Sequence, residues 1–310
     1  MATQAPVELL TKTISKFAIM KANQHPSKRN QIFDAETTDM RILDGASWIG
    51  YRELPDVVRP RETVTESSMD IDFGYRAVIA DYAMADSVAY ADWEDDQYGV
   101  FARLLPQKGG AMGVNHELLH EWVCAEFINN YGFASGTSVA GMPDGVSIFN
   151  TAHPYSKVDT SNTWSNRPAT DTDLSIAAYK AASTALRRQP QASGLGWVAA
   201  EPSKLVINPT NHYTALELFK GMYQAGSPNL TPNTLAAEAP QIVEWNWFDA
   251  NSGDAWFLIG NENPFKELIR SPVKFMHVDK PENFAHLFLT WDRFTVYIET
   301  PRGTYGSYGG

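Results

Sequence analysis

His116-Glu117-Leu118-Leu119-His120 is the place in this 310-residue chain where residue type and spacing most clearly suggest chemistry. On an α-helix, residues four apart share a face. Two imidazoles could then hold one zinc ion while Glu117 polarises its bound water, the arrangement of the H-E-x-x-H peptidases. That chemistry needs a third ligand. The longer pattern H-E-x-x-H-x-x-G-x-x-H requires glycine at 123 and a ligand at 126, where this chain has Val123 and Glu126. Beyond the helix the next glutamate is Glu201, after a long glycine- and proline-rich stretch, so no second ligand helix follows closely. The expectation is that His116 and His120 sit incidentally on the polar edge of an amphipathic helix, with no metal, no cofactor and no catalytic residue assigned.

Other chemistry-bearing residues reduce in the same way. Glu94-Asp95-Asp96 are three adjacent acids that cannot converge on one cation, and read as a solvated cap at a helix start. His153-Pro154 reads as a turn histidine with a local hydrogen bond. Trp245, Trp247, Trp256 and Trp291 fall in strand patterns where core packing accounts for them. No G-x-S-x-G, Walker or dinucleotide fingerprint is present.

The elements that would carry these residues are legible in outline. Residues 115–131 predict a helix capped by Asn115 and ended by Gly132 as an αL residue, with Leu118, Leu119, Trp122 and Phe127 buried. Residues 7–19 predict a short amphipathic segment, whereas residues 24–40 are polar and aperiodic, as in an arm laid over another surface. Residues 46–82 predict a long two-stranded projecting loop, whose tip around Arg59–Ser68 has too little apolar content to bury itself. A helix is expected from Thr172 or Asp173 to Arg188, then strand Lys204–Asn208 and a helix from about Pro209 to Met222. Strands Ile242–Phe248 and Ala255–Ile259 are expected to pair as a hairpin through the turn at 249–254. Val273–Val278 and Leu287–Ile298 complete the strands, and Thr304–Gly310 reads as a Gly/Tyr tail.

Composition narrows the function classes. With 25 basic and 36 acidic residues the net charge is −11, which opposes any role that neutralises nucleic-acid phosphates. The single cysteine, Cys124, excludes an internal disulfide framework and cysteine-based structural zinc sites. No window approaches the ~18 consecutive apolar residues of a spanning helix, so no membrane is expected.

The order of the pieces carries a resemblance. Tyr82–Gln97 (YAMADSVAYADWEDDQ) leads into the long-helix region, and Asp144-Gly-Val-Ser-Ile-Phe-Asn-Thr-Ala-His-Pro154 is similar to a D-G-x-x-L-F-s-x-x-H-P segment. Leu205-Val-Ile-Asn-Pro209 with Thr214-Ala-Leu-Glu-Leu218, then Asn233-Thr-Leu235, Ile242–Trp247 and Asp254–Ile259, follow in the same order. Across roughly residues 80–310 the chain resembles the major capsid proteins of tailed bacteriophages with the Hong Kong 97 fold, most closely the major head subunit of Mu-like phages. The resemblance implies an α+β fold: N-terminal arm (1–45), extended loop (46–88), peripheral domain with a long spine helix (89–170), axial α/β domain (171–270) and a return to the peripheral domain (271–310). It implies self-assembly through hexamers and pentamers into an icosahedral shell that encloses packaged DNA without sequence-specific binding. The location implied is the virion capsid, assembled in the host cytoplasm. Scaffold, portal and decoration proteins are the further partners implied, with any scaffold a separate protein. Some capsids of this fold join subunits through lysine and asparagine, but no lysine lies between Arg29 and Lys108, so non-covalent stabilisation is expected. An encapsulin-like compartment shell would share every pattern named here.

Overall fold

The computed structural model describes residues 7–54, 66, 68–96, 99–134, 142–224, 231–249 and 253–310. Helices α1 (Val7–Gln24) and α2 (Arg29–Ile32) lead into strands β1 (Asp34–Thr37), β2 (Ile42–Gly50), β3 (Asp70–Val78) and β4 (Ala80–Ala89). Helices α3 (Tyr90–Glu94) and α4 (Val100–Tyr131) follow, then the short strands β5 (His153–Pro154) and β6 (Thr163–Trp164). The remainder alternates: α5 (Ile176–Arg187), β7 (Pro202–Ile207), α6 (His212–Lys220), β8 (Gln241–Glu244), β9 (Trp256–Gly260), β10 (Phe265–Lys280), β11 (Ala285–Ile298) and β12 (Thr304–Ser307).

Two four-stranded sheets organise the body. One runs β12-β9-β7-β8, the other β1-β10-β11-β4. Strand β9, Trp-Phe-Leu-Ile-Gly, is buried at every position because both faces of its sheet are covered. Leu205, Ile207, Trp256 and Leu258 point to one face, where Tyr179, Ala182 and Leu186 of α5 meet Ala215, Leu218 and Phe219 of α6. Val206, Phe257 and Ile259 point to the other, against Cys124, Phe127 and Ile128 of α4 together with Phe33, Trp245 and Phe265. Helix α4 therefore stands between the two sheets as the spine of the molecule. The strands β2 and β3 form a separate antiparallel pair, with the predicted loop tip falling largely outside the described residues.

Several expectations are corrected. The spine helix begins at Val100, not 115, and continues through Pro106, Gly109, Gly110 and Gly113. The reason is tertiary: Ile14 and Ala18 of α1 lie so close that a β-carbon at Gly109 or Gly113 would overlap Ile14 or the Ala18 carbonyl. Asn115 is thus mid-helix, and Gly132 has φ −61°, so it is not an αL cap. Trp122 is 46% exposed, while Leu118 and Leu119 are only half-buried. Helix α5 is capped by Ser175, whose side chain accepts from the Ala178 N–H, not by Thr172 or Asp173. Within residues 24–40, Ile32 and Phe33 are core residues and β1 pairs in parallel with β10, so this segment is laid on the chain's own body. Strands β8 and β9 do not form a hairpin, because β7 lies between them. The Gly/Tyr tail contributes β12, an edge strand antiparallel to β9 and buried throughout.

Candidate functional site

Helix α4 turns His116 and His120 toward β10 and β11, and Glu117 and Glu121 toward the start of α2. The two histidines are 3% and 5% exposed, which corrects the expectation of a polar helix edge. His116 Nδ1 lies 3.0 Å from Asp292 Oδ2 and its Nε2 2.9 Å from Thr290 Oγ1. His120 Nε2 shares the same Asp292 oxygen at 3.0 Å, and its Nδ1 lies 2.5 Å from Glu267 Oε1. His120 also stacks on Phe294, ring centroids 3.7 Å apart. These partners lie 147 or more positions along the chain, beyond the reach of helical periodicity.

A second ring of charge encloses the first. Arg29 donates to Glu117 Oε2 at 3.1 Å and sits 3.7 Å from Glu267. Glu121 accepts from the Ser27 hydroxyl at 2.6 Å, the backbone N–H groups of Lys28 and Arg29, and the Trp245 indole N–H at 2.6 Å. One carboxylate therefore ties the entry of α2, the spine helix and the strand-end residue Trp245 together.

This geometry bears on the zinc question. All four ring nitrogens of the pair already face protein partners, and Glu117 is turned to Arg29 rather than to a water between the histidines. Glu126, the residue at the third-ligand position, accepts from Asn130. The residues do not fit a catalytic zinc. They fit a buried ionic clamp: burial pushes His120 toward its neutral form, but the hydrogen bonds to Asp292 and Glu267 prevail and raise its pKa above the usual 6.5. For Asp292, burial is again opposed by the histidine hydrogen bonds, which hold the carboxyl below its usual 3.8.

The Asp144–Pro154 segment gains a physical reason. His153 is fully buried, its Nδ1 2.6 Å from Asp144 Oδ2, its Nε2 3.0 Å from Asn166 Oδ1, and its ring stacked on Trp164. Gly145 takes φ +78°, a conformation glycine favours, and the turn delivers Ile148 and Phe149 to the core. The expected local hydrogen bond of His153 is present. Of the acidic triplet, Asp96 accepts from the Val100 N–H at the spine-helix start, but it is not the cap: Gly99 holds that position without a side-chain bond. Sequence reading passed over His277, Asp279 and His286, which converge across β10 and β11; strand alternation aligns the first two, but only the pairing register brings in the third.

The chain matches the family described as phage capsid protein over residues 74–301. No curated protein matches it in sequence. Similar solved structures include the capsid of an empty GTA particle, at TM-score 0.55 and 10% identity, covering 92% of this chain and 92% of that one. The capsid of Myoviridae phage XM1 is similar at TM-score 0.54 and 9% identity over 92% of this chain and 96% of that chain. Microbacterium phage Oxtober96 is similar at 0.53 and 13% over 92% of each. At such identities the likeness is one of fold, and that fold is the Hong Kong 97 type. With the family pattern spanning three strands of each four-stranded sheet, the spine helix and the His153 turn, the chain belongs to the phage capsid proteins.

Proposed function

We propose that this chain is the major head subunit of a tailed phage, in the group similar to Mu. Copies would assemble through hexamers and pentamers into an icosahedral virion shell around packaged DNA. The family match over residues 74–301 carries the reading. The surface supports it: Trp48, Tyr51, Leu54 and Ile71 on or beside the β2–β3 loop are each more than half exposed, apolar area that neighbouring copies would cover. The net charge of −11 suits a wall that confines DNA without adhering to it.

Within this reading, residues 1–45 act as the arm, 46–88 as the extended loop, 89–170 and 271–310 as the peripheral domain, and 171–270 as the axial domain. Assembly takes place in the host cytoplasm, with scaffold, portal and decoration proteins as the further partners. The role is structural rather than catalytic, consistent with the occupied histidine pair. Negative-stain microscopy of the expressed chain, with nuclease-protected nucleic acid measured in particles from infected cells, tests it. Closed shells holding DNA are expected. Open oligomers sink the reading, and closed shells filled with cargo protein instead of DNA indicate an encapsulin-like compartment.

A further inference from the structure

Near its tip, the β10–β11 hairpin carries three ligand-type side chains on one face. In the antiparallel register Asp279 stands opposite His286 and His277 opposite Phe288. Residues two apart on a strand share a face, so His277, Asp279 and His286 all project to the same side. Their atoms meet: His286 Nδ1 lies 2.7 Å from Asp279 Oδ1, and His277 Nε2 lies 3.2 Å from each of these two atoms. Among the described residues this is the one group of three whose ligand atoms converge so closely.

We propose that His277 Nε2, Asp279 Oδ1 and His286 Nδ1 bind one divalent transition-metal ion of zinc's class. Tetrahedral bonds of ~2.0–2.1 Å place ligand atoms roughly 3.3 Å apart, so the 2.7 Å edge of the triangle has to open by about 0.6 Å and the other two hardly at all. Two imidazoles and one carboxylate select zinc, cobalt or nickel over magnesium or calcium. The rings are already held: Tyr90 and Trp93 pack edgewise on His286, with centroids 4.6 Å and 5.7 Å away, and Phe288 lies 5.3 Å from His277. Binding requires His286 as the Nε2–H tautomer, whose Nδ1 lone pair faces the ion. The Asp279 side chain is 60% exposed, so the fourth position opens to solvent and water fills it. The ion would staple the far end of a hairpin whose tip residue Phe284 stands 73% exposed. None of this requires the HELLH pair.

The test uses the purified full-length chain, stripped with chelator, dialysed and titrated with Co²⁺ under a visible-absorption readout, then competed with Zn²⁺. One equivalent per chain with a tetrahedral-type band displaced by zinc is expected, and no band in His277→Ala or His286→Ala. Because Asp279 is exposed, Asp279→Asn keeps the fold and should weaken binding at least about tenfold, the loss that even an outer-shell partner produces. A silent wild-type chain overturns the site, as does binding that survives the histidine substitutions unchanged.

Discussion

His120 shows what one residue contributes when its partners come from three elements. It stands on the spine helix between Glu267 of β10 and Asp292 of β11, with Arg29 of α2 beside the same glutamate. Removing one member of a buried charge network leaves the others uncompensated, which costs about 3–5 kcal/mol. His120→Ala should therefore lower the unfolding free energy from guanidinium titration by that order, more than the truncation of a half-buried leucine such as Leu119 on the same helix. The pH dependence has a definite sign. His120 has a raised folded pKa, so its contribution is complete below 6.5 and disappears as pH rises through the folded value. Asp292 has a depressed folded pKa, so its contribution is complete above 3.8 and disappears as pH falls through the folded value. Wild-type stability should thus carry an alkaline loss that His120→Ala lacks, read as unfolding midpoints across pH; parallel pH curves for the two proteins would contradict the clamp. The contrast with His153 explains what was legible. Asp144 is nine positions from His153 and visible in one turn-rich motif, whereas the partners of His116 and His120 exist only once β10 and β11 are folded.

Among elements, the contact of α1 with α4 depends on what is missing from side chains. Ile14, Ala18 and Ala22, spaced four apart, form the buried stripe of α1, and the glycines at 109 and 113 receive it. Glycine costs about 1 kcal/mol in a helix interior relative to alanine, so Gly109-Gly110 gives no local signal for a helix. Here close packing offsets that cost, so the helix started earlier than its apolar periodicity indicated. Gly113→Val separates the two effects. The helix itself should remain, with far-UV circular dichroism unchanged, while α1 lifts away and trypsin cleaves at the exposed Lys12, Lys16 and Lys21 faster than in the wild type. Unchanged cleavage would mean that the groove does not hold α1. The mispaired hairpin has the same kind of cause. Turn-forming residues at 249–254 are real punctuation, yet β7 pairs with β8 in parallel and with β9 in antiparallel, and a non-local partner of this kind leaves no mark on local sequence.

For the whole molecule, the order of weak motifs was more informative than any single motif, because a shell subunit is defined by which surfaces it leaves unfinished. Tyr213 and Met222 are at least three-quarters exposed, and Trp48, Leu54 and Trp197 more than half, which is costly for a chain that stays alone and ordinary for one that is covered by neighbours. How those neighbours are fixed together follows from where the lysines are. The extended loop contains none, the described Lys108 pairs with Asp86 at 2.7 Å, and Lys266 is flanked by Asp34 and Glu36 at 3.4 Å each. A lysine must be neutral to attack an asparagine side chain, and the acids beside Lys266 instead raise its pKa against the effect of burial. The loop therefore has no donor for covalent joining, and Lys266 is biased against serving as one. Mature particles boiled in detergent should give a single band at the 34.5 kDa chain mass. A ladder of multiples would show that a lysine outside the loop forms the bond, and stepwise Lys→Arg replacement would identify which one.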